Sequence, residues 1–340
     1  MTKRKTVAAQ RRDALVRKKI EKRNILHNSV QAEEEVDGQL LEKTLIAIGI
    51  RGGFQHLPLC DSTNNVMKRY AHSMMMSESQ RLNSFVKPPS FTENIAGWTI
   101  NLLAPKALPF VLVADAQTDG RGRQSNTWWT GQGALAFSML LDAKQHGLKP
   151  QKMALLSIGI GYATMQALRL IAEQILAKIN IDTENDVNAK SAAMPNIEIR
   201  WPNDVYVNDR KIAGILIEAP NLRHIVIGIG INTNNSAEDA PEEIRDRIVT
   251  LSDVLNQNID HDALIYFLCR EIIDVIYCFP SHIPELLEIV EANLYQVDKM
   301  VNISQENGNI IGKCLGLNPD GSLRVLTETG EKAVISGVTV

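Results

Sequence analysis

The sequence predicts an α+β protein that ends in a small antiparallel β unit, and three observations carry that reading. Short apolar runs rich in β-branched residues, PFVLVADAQ (109–117), ALAFSMLL (134–141) and HIVIGIGINTN (224–234), have the length and composition of buried strands. Between and after them lie long stretches of helical periodicity, over residues 151–177 and 261–295. From about residue 298 the pattern changes to short alternating runs, punctuated at Asn307-Gly308, Asn318-Pro319-Asp320-Gly321 and Thr329-Gly330. That is the signature of a small barrel or sheet, too small to be stable alone and expected to lean on the larger part.

In chain order, Leu40–Ile50 reads as a short helix or strand stopped by Gly52-Gly53. Val66, Met67, Tyr70, Ala71 and Met74 then recur at helical spacing, with Ser62 or Thr63 as the N-cap. Residues 77–97 are polar, contain Pro88-Pro89 and read as a loop, and 180–196 read as a second. IEIRWPNDVYVNDRKIAGILIEA (197–219) reads as strand, turn, strand, with Asn208-Asp209 at the hairpin tip. No internal repeat is visible.

Composition excludes several classes. Of 340 residues 44% are hydrophobic and 22% charged, so disorder is not the main state. The four cysteines, Cys60, Cys269, Cys278 and Cys314, have no CxxC or Cys-His spacing, which argues against a zinc ribbon or disulfide scaffold and suits a reducing cytoplasm. No uncharged apolar run reaches the roughly 18 residues of a membrane span, and no signal-peptide core is present. The net charge of −3 conceals an asymmetry: residues 1–30 carry ten Lys and Arg against Asp13 and Glu21, a local +8 that leaves −11 elsewhere. Such an arm favours a solvated, partly helical tail over a nucleic-acid contact. Asp13, Glu21 and Glu33-Glu34-Glu35 argue against a transit peptide.

Three constellations carry chemistry. Gln117-Thr-Asp-Gly120-Arg121-Gly122-Arg123 follows a strand; its glycines admit close approach of backbone N–H groups to an anion and its arginines add positive charge. It is neither a Walker A loop nor a GxGxxG fingerprint. Trp128-Trp129, just beyond, reads either as core packing or as a cover for a purine. Arg200-Trp201-Pro202-Asn203-Asp204, with the run from Lys211 through Gly214 to Glu218 behind it, places a polar turn between strands that present two cations; taken alone, Asn203-Asp204 reads as a self-bonded turn before it reads as a site. Gly228-Ile-Gly230-Ile-Asn232 leaves one face of a strand bare, either for a flat ligand or for close helix packing.

In order and wording, DSTN (61–64), QTDGRGR (117–123), RWPND (200–204), KIAGIL (211–216) and GIGIN (228–232) resemble the biotin–protein ligase family, the biotin–[acetyl-CoA-carboxylase] ligases, over about residues 57–340. The resemblance implies a mixed sheet backed by helices plus a small C-terminal β-barrel. It divides the chain into a basic, partly disordered arm (1–50), a catalytic biotin- and ATP-binding domain (51–297) and the barrel (298–340). The residues before the DSTN segment lack the pattern of the winged-helix repressor domain that some relatives carry.

The implied reaction has two steps: biotin and ATP form biotinyl-5′-AMP, and a lysine of a biotin carboxyl carrier domain, from acetyl-CoA carboxylase or a related carboxylase, then takes the biotin. Magnesium accompanies the nucleotide, and no metal-ligand set can be picked from the sequence. By motif, Ser62, Thr63, Asn64 and Gln117 fall on the biotin ring; Arg121, Gly122, Arg123 and Arg200 on the activated carboxylate, with Arg123 and Arg200 as catalytic cations; and Trp128, Asn203, Asp204, Lys211 and Asn232 on the nucleotide. Arg200 departs from the family's lysine, keeping charge but not the ability to deprotonate. The resemblance also implies a cytoplasmic protein, monomeric or homodimeric through an edge strand near 134–141 or 224–232. A lipoate- or octanoyl-transferring relative and a catalytically weak biotin-binding relative are the competing readings.

Overall fold

The computed structural model describes residues 38–80, 90–95, 98–103, 105, 107–123, 126–149, 152–183, 193–279, 281–305, 308–335 and 337–339. The chain divides into two units, Met1–Leu40 and Leu41–Val340. The basic arm of residues 1–30, and most of the stretch read as lacking a winged helix, lie outside the described residues. Helix α1 (Gly38–Ala47) resolves the ambiguity over 40–50, and its Leu41 and Leu45, with Ile50, are buried in the main core.

Seven strands build the principal sheet: β1 (Phe54–Leu57), β4 (Phe110–Ala114), β5 (Leu135–Asp142), β6 (Ile197–Arg200), β7 (Asp204–Val207), β8 (Arg210–Glu218) and β9 (His224–Ile231). Their order is β1-β4-β5-β9-β8-β7-β6, with β1 and β4 parallel and every other neighbour antiparallel. Strands β2 (Ser90–Ile95) and β3 (Trp98–Leu103) form a separate hairpin.

The strands read as uniformly apolar are so because both faces are covered. All of β4 and seven of the eight residues of β5 are buried. On one face Ile225, Ile227, Ile229 and Ile231 join Phe137, Met139 and Ile215 beneath α3 (Met153–Thr183) and α6 (His261–Cys278). On the other, Leu112, Leu140 and Val226 pack on Val66, Met67, Tyr70 and Ala71 of α2 (Thr63–Gln80). Ser62 begins α2 as expected, its carbonyl accepting from the Val66 N–H at 3.0 Å. Asp260 caps α6 by accepting from the N–H groups of Asp262 and Ala263. Helix α3 has the length and composition of a membrane span over Met153–Asn180, but 72% of its most apolar window is buried inside the protein.

Short helices α4 (Glu242–Arg245) and α5 (Leu251–Leu255) follow β9, and α7 (Ile283–Glu291) follows α6. Beyond α7 the chain caps the β6 edge. Asn293 O accepts from the Ile199 N–H at 3.2 Å and Ile199 O from the Tyr295 N–H at 2.9 Å. The buried Gln296 amide then grips Trp201 at both ends, Oε1 accepting its N–H and Nε2 donating to its carbonyl, each at 3.1 Å. Strands β10 (Met300–Gln305), β11 (Gly308–Leu317), β12 (Leu323–Thr327), β13 (Gly330–Val334) and β14 (Val338–Thr339) make the C-terminal antiparallel sheet, in the order β13-β12-β11-β10-β14. Its inward residues Val301, Ile303, Cys314, Leu323 and Val325 join the main core, and Gly321 O accepts from Trp201 Nε1 at 3.1 Å, so the small sheet does lean on the large one.

Four readings change. Residues 197–219 hold three strands, not two, because Trp201-Pro202-Asn203 reverses the chain before Asn208-Asp209 does; the latter pair adopts positive φ (49° and 64°), which suits a two-residue hairpin. The stretch 77–97 contains the last turn of α2 and strand β2, its residues 81–89 and 96–97 lying outside the described set; polar composition hid both elements. Helix α3 runs on to Thr183, into the stretch expected as the second loop, of which 184–192 are outside the described set. Finally, β5 and β9 are interior strands with hydrogen-bonded neighbours on both sides, so neither offers an edge to a second copy.

Two stability predictions follow from this packing. Replacing Gln296 with Ala strands the Trp201 N–H and carbonyl in the interior and should cost about 2–4 kcal/mol, read as a lower urea midpoint. Burial lowers the pKa of His146, His224 and His261. The unfolded chain therefore takes up protons first, and the stability contributed by these neutral rings is complete above about pH 6.5 and is lost as pH falls through the folded values. The melting temperature should be flat between pH 7 and 8 and decline below that point, with a shallower slope in His261→Gln.

Candidate functional site

Where α2 ends its cover of the sheet, the strands carry almost no side chains. Gly214 of β8 pairs with Gly230 of β9, Leu216 with Gly228, and Gly228 and Gly230 with Ser138 and Ala136 of β5. Above this patch lies a cavity of about 770 Å³, within the usual range for small-molecule sites. Two side chains already rest on its floor. A Cβ at Gly228 would meet Asn64 Oδ1 at 2.1 Å, and one at Gly230 would meet Trp128 Cε2 at 2.3 Å. The bare face expected from GIGIN is thus present, lined by Asn64 at one end and Trp128 at the other.

The Asn64 end is uncharged and internally bonded. Gln117 Oε1 accepts from the Thr63 N–H at 2.8 Å and its Nε2 donates to Thr130 Oγ1 at 3.0 Å. The buried Ser138 hydroxyl is 2.7 Å from Asn64 Oδ1 and 2.8 Å from Thr63 Oγ1. Having one proton, it donates to the Asn64 carbonyl and accepts from Thr63. Ser62, Thr63, Asn64 and Gln117 all line the cavity. Ser138 was missed because a serine inside an apolar strand reads as filler; only its register opposite a glycine marks it.

The glycine-rich segment folds into a tight hairpin over the middle of the cavity. Gly122 N–H donates to Asn126 O at 2.8 Å and Trp128 N–H to Gly120 O at 2.9 Å. A Cβ at Gly120 would lie 2.3 Å from Trp128 O, so this glycine serves the turn, and the Gly122 N–H expected to face an anion is engaged within the loop. Its cations remain at the cavity. Arg123 Nη1 donates to Asn203 Oδ1 at 3.3 Å, and burial pushes its guanidinium pKa down while Asp204 opposes the shift. Arg121 Nη1 donates to Asn65 Oδ1 at 3.1 Å and to Glu218 Oε1 at 2.9 Å.

Beyond Trp128 the wall is charged. Lys211 Nζ pairs with Asp204 at 2.7 Å and lies 5.7 Å from the Trp128 ring centroid. Asn203 Nδ2 donates to Ile215 O at 2.7 Å, so that side chain braces β8 as well as facing Arg123. Arg200 is clasped on both faces, its Cζ 4.1 Å from the Tyr206 centroid and 3.9 Å from the Tyr295 centroid, and it pairs with Asp209. It lines the cavity but is far more constrained than a lysine would be. Tyr206, Arg247 and Ile248 complete this end; they stand outside the recognised motifs and are brought in by the sheet and by the chain after α4.

Of the residues expected to contact a ligand, Asn232 alone is absent from the wall. It is 1% exposed, and its Oδ1 accepts from Asn235 Nδ2 at 3.1 Å. Lying two residues beyond Gly230, it passes the end of the strand into the turn. Glu218 ends the Lys211–Glu218 run behind the RWPND turn, and the sequence gives it no role. Burial works to raise its carboxyl, but Asn64, Lys68 and Arg121 outweigh that and hold its pKa below the usual range.

An uncharged hydrogen-bonding recess is thus continuous with a cation-lined recess on a glycine-floored mixed sheet. Residues 96–232 match the Biotin/lipoate A/B protein ligase family. It is similar to the bifunctional ligase/repressor BirA of Bacillus spizizenii, 29% identical over 254 residues that cover 73% of this chain and 70% of the relative. BirA of Bacillus subtilis is likewise 29% identical, with the same coverage. Among solved structures, the biotin protein ligase from Aquifex aeolicus in complex with biotin and ATP is 26% identical, covers 84% of this chain and 97% of its own, and superposes with a TM-score of 0.59.

The floor predicts its own test. Gly230→Ala must displace the Trp128 ring, because the contact is with the rigid indole itself. The tryptophan emission should shift to the red, and the shift should vanish in a Trp128→Phe background.

Proposed function

We propose that this cavity activates biotin: the neutral recess holds the ureido ring, and the cationic recess brings the biotin carboxylate to the α-phosphate of ATP. The protein is a biotin–protein ligase, which forms biotinyl-5′-AMP and passes the biotin to a carrier protein. The observation that carries the assignment of residues is the single cavity joining Thr63, Asn64 and Gln117 to Arg123 and Lys211. A ureido ring has both donors and acceptors, so it can exchange hydrogen bonds with the recess, whereas a lipoyl dithiolane would leave those buried groups unmatched.

In the first step a carboxylate oxygen attacks the α-phosphorus, a new O–P bond forms and the bond to pyrophosphate breaks. Two anions must meet, and charge grows on the bridging oxygen that departs with pyrophosphate. Arg121 and Arg123 offset the repulsion, and Arg123, already stripped of much of its water, acts most strongly on a buried anion. Lys211 contacts the phosphates in exchange for Asp204, Asn203 shapes the wall beneath them, and Trp128 lifts from the floor to cover the nucleotide. Ser62 and Gly122 take part as backbone of the recess and of the loop, and Arg200 adds fixed positive charge at the rim. Asn232 acts from behind the wall, through Asn235. In the second step a carrier lysine, once deprotonated, attacks the acyl carbon and AMP leaves.

Among the described residues no group of three or more His, Cys, Asp or Glu side chains is placed to hold a metal ion. Magnesium needs only one or two protein carboxylates when phosphates supply the rest, and Asp204 is the carboxylate on the cavity wall, so the residues fit an ion that arrives with the nucleotide. When bound it would neutralise phosphate charge. The carrier is proposed to be the biotin carboxyl carrier domain of acetyl-CoA carboxylase or a related carboxylase. A cytoplasmic location agrees with the lack of any disulfide among the four cysteines. The division into an arm to residue 50, a catalytic domain to 297 and a C-terminal barrel is retained as a functional proposal.

The test is biotin-dependent exchange of pyrophosphate into ATP. Wild type should exchange with biotin and not with lipoate, and Arg123→Ala should lose roughly a hundredfold or more in kcat. Arg200→Lys should exchange at least as well as wild type. Absence of exchange with biotin still bound would mean a biotin-binding relative without the ligase reaction.

A further inference from the structure

Glu218 stands at the end of β8, just outside the cavity, and each of its oxygens is engaged by a side chain that lines the site, Lys68 joining from outside it. Oε2 accepts from Asn64 Nδ2 at 2.9 Å; Oε1 accepts from Arg121 Nη1 at 2.9 Å and from Lys68 Nζ at 3.0 Å. Asn64 is the side chain resting on Gly228 and bonded to Ser138, so it shapes the uncharged recess. Arg121 belongs to the glycine-rich hairpin that roofs the cationic recess. One carboxylate therefore ties the neutral end of the cavity, fixed on α2, to the roof of its charged end.

The tie is electrostatic on one oxygen and directional on the other. Lys68 and Arg121 converge on Oε1 and, without its charge, would face each other as half-buried like charges. Among the described residues the hairpin pairs with itself through Gly122–Asn126 and Gly120–Trp128, and it meets the sheet through the Trp128 ring and the Arg123–Asn203 bond, so Glu218 is the acid that ties its Arg121 to β8. We propose that Glu218 is a positioning residue of the ligase: it fixes Arg121, and with it the roof loop, relative to the biotin recess. This rests on the biotin-activating reading above. It assigns Glu218 a part in the reaction although the side chain touches neither substrate.

A double-mutant cycle in pyrophosphate exchange tests it, on full-length protein. Glu218→Gln retains an oxygen for the Asn64 amide but not the charge that holds Arg121. Its kcat should fall roughly tenfold to a hundredfold, while the KM for biotin stays within about threefold because the Asn64 contact survives. Arg121→Met should lose a similar factor, and the double variant should lose no more than either alone. Lys68→Met, which leaves the Arg121 pair intact, should remain close to wild type. Additive losses, an unchanged E218Q, or a K68M as damaged as E218Q would each overturn the inference while leaving the ligase reading in place. A wild type without biotin-dependent exchange would overturn both. Should E218Q fail to fold by its melting curve, K68M/E218Q removes both charges and carries the same cycle.

Discussion

Three glycines on two neighbouring strands decide where this molecule can hold a ligand. A sheet of seven strands buries apolar side chains on both faces, and any Cβ at Gly214, Gly228 or Gly230 would fill the space in which Asn64 and Trp128 now rest. Everything else in the site is arranged around that bare patch. Helix α2 ends its cover of the sheet there, and its first residues, Thr63 and Asn64, turn polar groups onto the floor. Arg121, Gly122, Arg123 and Trp128 of the glycine-rich segment line the cavity beside it, and the β6–β7 turn and the chain after α4 close the far end.

The second constraint is charge. Arg121, Arg123, Arg200 and Lys211 all reach one cavity, a crowding that would repel unless acids intervened. Each cation is met differently. Glu218 holds Arg121 and Asp204 holds Lys211, whereas Asp209 and two tyrosine rings hold Arg200. Arg123 has the neutral Asn203 carbonyl as its hydrogen-bond partner, and Asp204 as an acid nearby. The pairs that an entering anion can replace lie on the cavity side; the one around Arg200 is braced by aromatic stacking and leaves its cation less free to move.

The C-terminal sheet serves the same site indirectly. Gln296 and Gly321 grip Trp201, and the segment from Asn293 to Gln296 covers the β6 edge, so the RWPND turn is held from behind by residues about a hundred positions later. The small sheet shares the core of the large one, which explains how some forty residues with few inward side chains stay folded.

Local physics made most elements legible in the sequence. Apolar runs of strand length, helical spacing and turn residues located the sheet, α2, α3, α6 and the C-terminal sheet, and the quoted motifs pointed to about two thirds of the cavity-lining residues, missing Phe137, Tyr206, Arg247 and Ile248 among others. The sequence could not tell interior strands from edges, since β5 and β9 look alike whichever neighbours they have; hydrogen-bonding order is a property of the assembled sheet. It could not show that Asn232 turns inward, that Tyr206 and Tyr295 clasp Arg200 or that Gly122 spends its N–H within the loop. Nor could it single out Glu218, whose partners lie about a hundred and a hundred and fifty residues away in the chain. Composition and periodicity record what each segment prefers by itself. Which charges end up paired, and which glycines are covered, depends on contacts between distant segments that exist only once the chain has folded.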